Sequence, residues 1–157
     1  MKTNIGISDT DRQAVAGLLN TVLADEYLLY TKTRNYHWNV TGPQFSELHA
    51  FFETQYEALD EAIDEIAERV RALGERAAGS LAEFAKAARL GESPGVAPGA
   101  REMLAGLLTD HEALIRSLRG DVDVTAERYH DVGTSDFLTG LLEKHEKTAW
   151  MLRSYLA

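Results

Sequence analysis

The chain has 157 residues and no cysteine, with a formal net charge of −9. That length suits one domain with a real core, and the missing cysteines exclude disulfides, thiolate metal sites and a cysteine nucleophile. The negative balance repels nucleic acid as a whole and attracts cations, and no apolar run approaches the roughly 20 residues that span a bilayer.

In chain order, Ser8 or Asp9 caps a helix that starts near Thr10. Val15, Leu18, Leu19, Val22 and Leu23 give it a buried face, and it continues to about Tyr36. His37-Trp38-Asn39-Val40 and the break at Thr41-Gly42-Pro43 follow. A second helix runs from about Gln44 to Leu73, with Leu48, Phe52, Tyr56, Leu59, Ile63, Ile66, Val70 and Leu73 at spacings of three and four. Gly74 ends it. The connection over residues 75–98 holds one short helix near Leu81 to Ala88 and a turn-rich run through Pro94 and Pro98. A third long helix begins near Pro98 or Gly99 and reaches about His130, with Met103, Leu104, Leu107, Leu108, His111, Leu114, Ile115 and Leu118 on its core face. Thr134 or Ser135 caps the last helix, which runs to about Tyr155 through Phe137, Leu138, Leu141, Leu142, His145, Ala149 and Leu152. Four long helices around one longer middle connection read as an all-α four-helix bundle filling residues 1–157.

Beside the apolar stripe of the second helix runs a polar set: His49, Glu53, Asp60, Asp64 and Glu68. Residues four apart are neighbours on a helix, so His49 with Glu53, and Asp64 with Glu68, form pairs of metal-ligand type. Glu53 and Asp64 lie roughly 16 Å apart along the axis but only about 20° apart around it. They share a face and cannot share a metal within one straight helix. Two such helices, antiparallel about a two-fold axis, bring His49 and Glu53 of one chain opposite Asp64 and Glu68 of the partner subunit. Taken alone, Glu53, Asp60, Asp64 and Glu68 fit a solvated acidic face better than a metal site. His111 and His145 sit on core-facing positions and read as partly buried, hydrogen-bonded histidines.

Other chemistry finds little support. A di-iron bundle of the intrachain kind needs two Glu-x-x-His pairs, and only Glu127 to His130 fits. A compact zinc motif, a Gly-rich phosphate loop and a Gly-x-Ser-x-Gly elbow are absent from the sequence.

The run His37-Trp38-Asn39-Val40, then Gly42-Pro43, Phe45, Leu48-His49, Phe52-Glu53 and Asp64 to Arg69 resembles the Dps family, the mini-ferritins. Gly133-Thr134, Asp136 and Glu146 to Leu152 resemble it too, so the likeness spans nearly the whole chain. The resemblance implies a ferritin-like bundle with a short helix in the middle connection, assembled as a hollow dodecamer. It implies ferroxidase centres at two-fold interfaces, with His37, His49 and Glu53 from one subunit and Asp64 and Glu68 from the partner subunit as catalytic metal ligands. The family usually has Asp where Glu53 stands, so the side chain here is longer. Trp38 resembles the family's Trp beside the centre. Iron is the metal implied, Fe(II) and hydrogen peroxide the substrates, and stored Fe(III) the product; imidazole with carboxylates suits that couple. Asp136 matches a position in the acidic pores at the three-fold axes, with Asp131 and Glu143 as neighbouring candidates, and Gly133 occupies a second pore position. The place of action implied is the cytoplasm or nucleoid. Members that condense DNA carry a basic tail; here the N-terminus offers Met1, Lys2 and then Arg12. Weak or absent DNA binding is therefore expected. Two other readings stand beside this one: a nucleoid-binding protein with a weak or vestigial iron site, and an acidic cage storing zinc or another divalent ion.

Overall fold

Two antiparallel helical hairpins pack face to face. In a computed structural model, described here for residues 3–157, α1 spans Asp9–Asn39 and α2 Phe45–Ala72. A short α3, Leu81–Ala87, lies in the connection to α4, Ala100–Glu127, and α5, Val132–Leu156, closes the bundle. No helix of the described residues is long and apolar enough to cross a membrane.

Ser8 caps α1 by accepting the Asp11 N–H at 3.1 Å, and Asp9 and Asp11 meet the positive end of the helix dipole. The helix runs three residues beyond the expected Tyr36, to Asn39. Nothing in its sequence breaks it until the Gly42-Pro43 turn, where Gly42 takes φ +110°. His37 and Trp38 therefore project from a last helical turn. Gly74, at φ +87°, ends α2 as expected. A Ser80–Glu83 capping box starts α3.

The α4–α5 connection differs from expectation. The third long helix stops at Glu127, three residues early, because His130 turns into the left-handed region at φ +53°. The cap of α5 is Asp131, ahead of the expected Thr134 or Ser135. Its carboxylate accepts the Thr134 N–H at 2.9 Å and the Thr134 hydroxyl at 2.5 Å.

The core sits where the apolar spacings put it. Val15, Leu19, Leu23, Leu48, Phe52, Ile66, Leu107, Leu114, Leu138 and Leu152 are all fully buried. Each such side chain contributes about 1.5–3 kcal/mol of hydrophobic stabilisation. Tyr56 and Ile63, read as part of the same stripe, are only half-buried. Buried charges tie the connections to the hairpins. Arg12 donates to the Leu73 carbonyl at 2.5 Å, closing the end of α2. Asp25, wholly buried, accepts from the backbone N–H groups of Arg89 and Leu90 and from the Arg89 side chain, which pins the chain after α3.

Candidate metal centre

The α1–α2 turn folds the end of one helix against the start of the next. This brings His37 and His49 together, their rings stacked 3.7 Å apart at 21°. The His37 Nδ1 lies 2.8 Å from the His49 carbonyl oxygen, and the His49 Nδ1 lies 2.8 Å from the His37 carbonyl oxygen. A carbonyl oxygen only accepts, so both Nδ1 atoms carry a proton. Each neutral imidazole then keeps its lone pair on Nε2, the arrangement in which histidine ligates metal. The local reason is the helix end: the His37 carbonyl falls in the last turn of α1, where carbonyls lack intrahelical partners, and the His49 ring fills that need. His37 is 7% exposed, and His49 is half-buried beneath Phe45, which stacks on it at 5.2 Å.

Glu53, one turn beyond His49, is exposed and accepts a hydrogen bond from the Tyr56 hydroxyl at 3.3 Å through Oε1. Burial first, and then the Glu53 carboxylate, push the Tyr56 phenol pKa above its ordinary value. Arg34 spreads over three rings, 4.9 Å from Tyr56, 5.2 Å from Trp38 and 5.5 Å from Tyr30. It also donates to the Tyr30 hydroxyl at 2.6 Å.

Asp60, Asp64 and Glu68 are exposed on the far part of α2. Asp64 and Glu68 have no hydrogen-bond or ion-pair partner among the described residues. Among those residues, no three His, Asp or Glu of one chain converge on a metal position. The structure thus joins His37 and His49, with Glu53 one turn further along α2, and leaves Asp64 and Glu68 apart, toward the other end.

The remaining candidates divide. Asp136 and Glu143 are exposed on α5. Asp131 is only 2% exposed and is held by Thr134 and by Arg69, whose Nη2 lies 3.1 Å away. It is an inward-facing helix cap. A methyl group at Gly133 would meet the same Arg69 nitrogen at 3.0 Å, so a small residue suits that position for packing.

His111 and His145 are buried and hydrogen-bonded, as their spacing suggested, and they find each other. Their Nδ1 atoms are 2.9 Å apart, and His145 Nε2 is 2.7 Å from Oε1 of Glu26, which is wholly buried. The second Glu26 oxygen has no hydrogen-bond partner among the described residues. This chain of three groups lies inside the bundle, and Glu26 precedes His37 by eleven residues, about 16 Å along α1.

Sequence reasoning missed Tyr56, Arg34 and Glu26 as parts of these clusters. The signals were faint: Tyr56 lies three positions after Glu53, Arg34 three before His37, and Glu26 stands beside Asp25 within an otherwise apolar stretch of α1.

Comparison with known proteins decides the family. The model of the ferritin-like domain matches residues 16–157. A Dps protein of Vibrio cholerae O1, described as a member of a broad superfamily of ferritin-like di-iron-carboxylate proteins, superposes with a TM-score of 0.93 at 36% identity, covering 100% of this chain and 98% of that one. The chain belongs to the Dps family of mini-ferritins. It is also 37% identical to DNA protection during starvation protein 2 of Bacillus anthracis, over 90% of this chain and 96% of that one. A low temperature-induced protein of Nostoc is 54% identical, over 99% of this chain and 87% of its own length. Iron storage and protection against oxidative damage are the general function of this Dps family, and iron binding with ferroxidase chemistry is general to the superfamily.

Proposed function

We propose that this mini-ferritin oxidises Fe(II), preferentially with hydrogen peroxide, at centres shared by two subunits, and stores the Fe(III) inside a hollow dodecamer. His37, His49 and Glu53 serve as ligands from one subunit, and Asp64 and Glu68 of the partner subunit complete the set. The observation that carries this reading is the reciprocal His37–His49 hydrogen bonding, which leaves both Nε2 lone pairs free. Asp64 and Glu68, exposed and without a partner among the described residues, are open to a cation and support it.

The chemistry follows from the donors. Two Fe(II) each give one electron to a peroxide, its O–O bond breaks, and the two oxygens leave as water or as ferric oxide. Imidazole with carboxylate holds Fe(II), and the carboxylates favour the harder Fe(III) more strongly. The few protein donors leave open positions, so that peroxide enters and the product departs. Tyr56 orients Glu53 by its hydrogen bond and compensates for the longer side chain at this position. Asp136 and Glu143 are the candidates for guiding Fe(II) through an acidic pore. Asp131, neutralised by Arg69, positions the start of α5 near them. The cytoplasm is the place of action.

DNA is not a tight partner of this chain at physiological salt. Its charge of −9 per subunit opposes the phosphate backbone. Met1 and Lys2, the N-terminal cations of that argument, lie outside the described residues.

The test compares peroxide-driven Fe(II) oxidation without oxygen in the wild type and in His49→Ala. Fast turnover in the wild type, lost in the variant at unchanged assembly mass, is the expected result. Slow and equal rates in both would sink the reading.

A further inference from the structure

Between α2 and α5 lies a cleft of about 290 Å³. It exists because α2 turns two alanines, Ala58 and Ala62, toward it, where larger side chains would close the gap to the density of a protein interior. Leu59 and Leu141, both buried, and Met151 complete an apolar wall. At about 100° per residue, Ala58 and Ala62 lie roughly 140–180° around α2 from Glu53. The flank of α2 that the shared centre turns to the partner subunit is therefore a different one.

The polar floor of the cleft is the end of a hydrogen-bonded line. Glu26 of α1 is wholly buried, and His111 of α4 and His145 of α5 are each 2% exposed. With Glu26 ionised, His145 donates its Nε2–H to Glu26 Oε1 at 2.7 Å, and its Nδ1 accepts the Nδ1–H of His111 at 2.9 Å. His111 then keeps its lone pair on Nε2, which has no hydrogen-bond partner among the described residues. His111 lines the cleft, so this nitrogen is an acceptor offered to a molecule inside. Burial first, and then His145, hold the His111 pKa well below the usual value, and the ring is neutral near pH 7.

The mouth differs in charge from the chain as a whole. Lys144 and Lys147 of α5 stand there, both exposed. Glu65 meets Lys144 at 3.2 Å, and no carboxylate pairs with Lys147 among the described residues. α2 gives the lining no ionisable group, so the charged and titratable groups about His111 are Glu26, His145 and the two lysines.

An apolar wall, an acceptor at the floor and cations at the mouth suit an apolar body that ends in an acid. We propose that this cleft binds a small aliphatic monocarboxylic acid, its chain against Ala58, Leu59, Ala62, Leu141 and Met151 and its acid hydrogen on His111 Nε2. The lysines draw the anion in. A buried carboxylate opposite a neutral imidazole would be an unpaired charge, which is costly, so the acid is held protonated. Each anion therefore takes up one proton from water as it binds. An alkylamine, a cation at neutral pH, is opposed by the same lysines. The site is independent of the ferroxidase reading.

Octanoate is the probe, titrated calorimetrically into the assembled protein in two buffers of different ionisation enthalpy. The expected result is saturable binding at one site per subunit with uptake of one proton. The affinity should fall about tenfold per pH unit between about pH 6 and 8. Octylamine should give no saturable heat. Ala58→Phe fills the cleft from an exposed position, outside the core, and should abolish octanoate binding. His111→Phe should bind at least about tenfold more weakly, because the acid hydrogen loses its acceptor. No saturable heat with the wild type, or equal binding in the wild type and Ala58→Phe, overturns the site. Binding without proton uptake overturns the seat of the acid on His111, and the proposal with it.

Discussion

His37 and His49 lock each other: each imidazole donates its Nδ1–H to the other's backbone carbonyl, at 2.8 Å in both directions. The two rings are twelve residues apart in the chain and act as one unit. Replacing either with Ala removes one Nε2 donor and the stacked ring that supports the other, although the remaining Nδ1–H keeps its backbone acceptor. Each single variant should lose at least about tenfold in peroxide-driven Fe(II) oxidation, the range in which loss of metal-site support is felt. The double variant should fall little further than the worse single one, because groups that act as a unit are not additive. Stopped-flow rates for the three variants test this, and multiplicative losses would contradict it.

Much of the fold was legible because helix formation and burial leave a periodic signal. Leu48, Phe52, Leu59, Ile66 and Val70 are buried as their spacing required. Helix ends were less so, because they are decided by single backbone conformations such as His130 at φ +53°. Least visible were contacts between distant segments. The His145–Glu26 pair spans 119 positions, and nothing local to either residue names the other. Asp131 illustrates the same limit. Nothing near a carboxylate ahead of a helix points to Arg69, 62 residues away, as its partner.

Asp131 carries a stability prediction. It caps α5 through Thr134 and pairs with Arg69 while almost wholly buried. Asp131→Ala removes the cap and leaves the guanidinium without its carboxylate, a loss of about 1–3 kcal/mol from the cap and the pair together. Thermal unfolding should shift down by several degrees, and Arg69→Met should recover part of the loss in the double variant. A midpoint unchanged by Asp131→Ala would show that solvent replaces both contacts.

The DNA prediction follows from charge. A gel shift at low protein excess, in about 0.15 M salt with a chelator present, should show no retardation. Lowering the salt further should not produce binding, since weaker screening strengthens the repulsion from the −9 subunit. Added magnesium should restore whatever association there is by bridging the two anions. Retardation with chelator that weakens as salt rises would reveal a basic patch that overrides the net field.

His111 supplies the pH dependence. Burial first, and then the neighbouring His145, hold its pKa well below the usual histidine value. In the unfolded chain His111 titrates near the ordinary value of about 6.5. Between that value and its lower folded one, the unfolded state binds the extra proton. Stability therefore falls as pH drops below about 6.5 and is fully present above it. The groups around it share in the result: His145 meets it at 2.9 Å, and Glu26 holds the far side of His145. His111→Phe keeps a ring in the bundle and removes the titration. The fall in unfolding midpoint between about pH 7.5 and 5 should be smaller in His111→Phe than in the wild type, though the midpoint at pH 7.5 should also drop, because His145 loses its partner. Equal falls in both proteins would place the acid sensitivity on the exposed carboxylates instead.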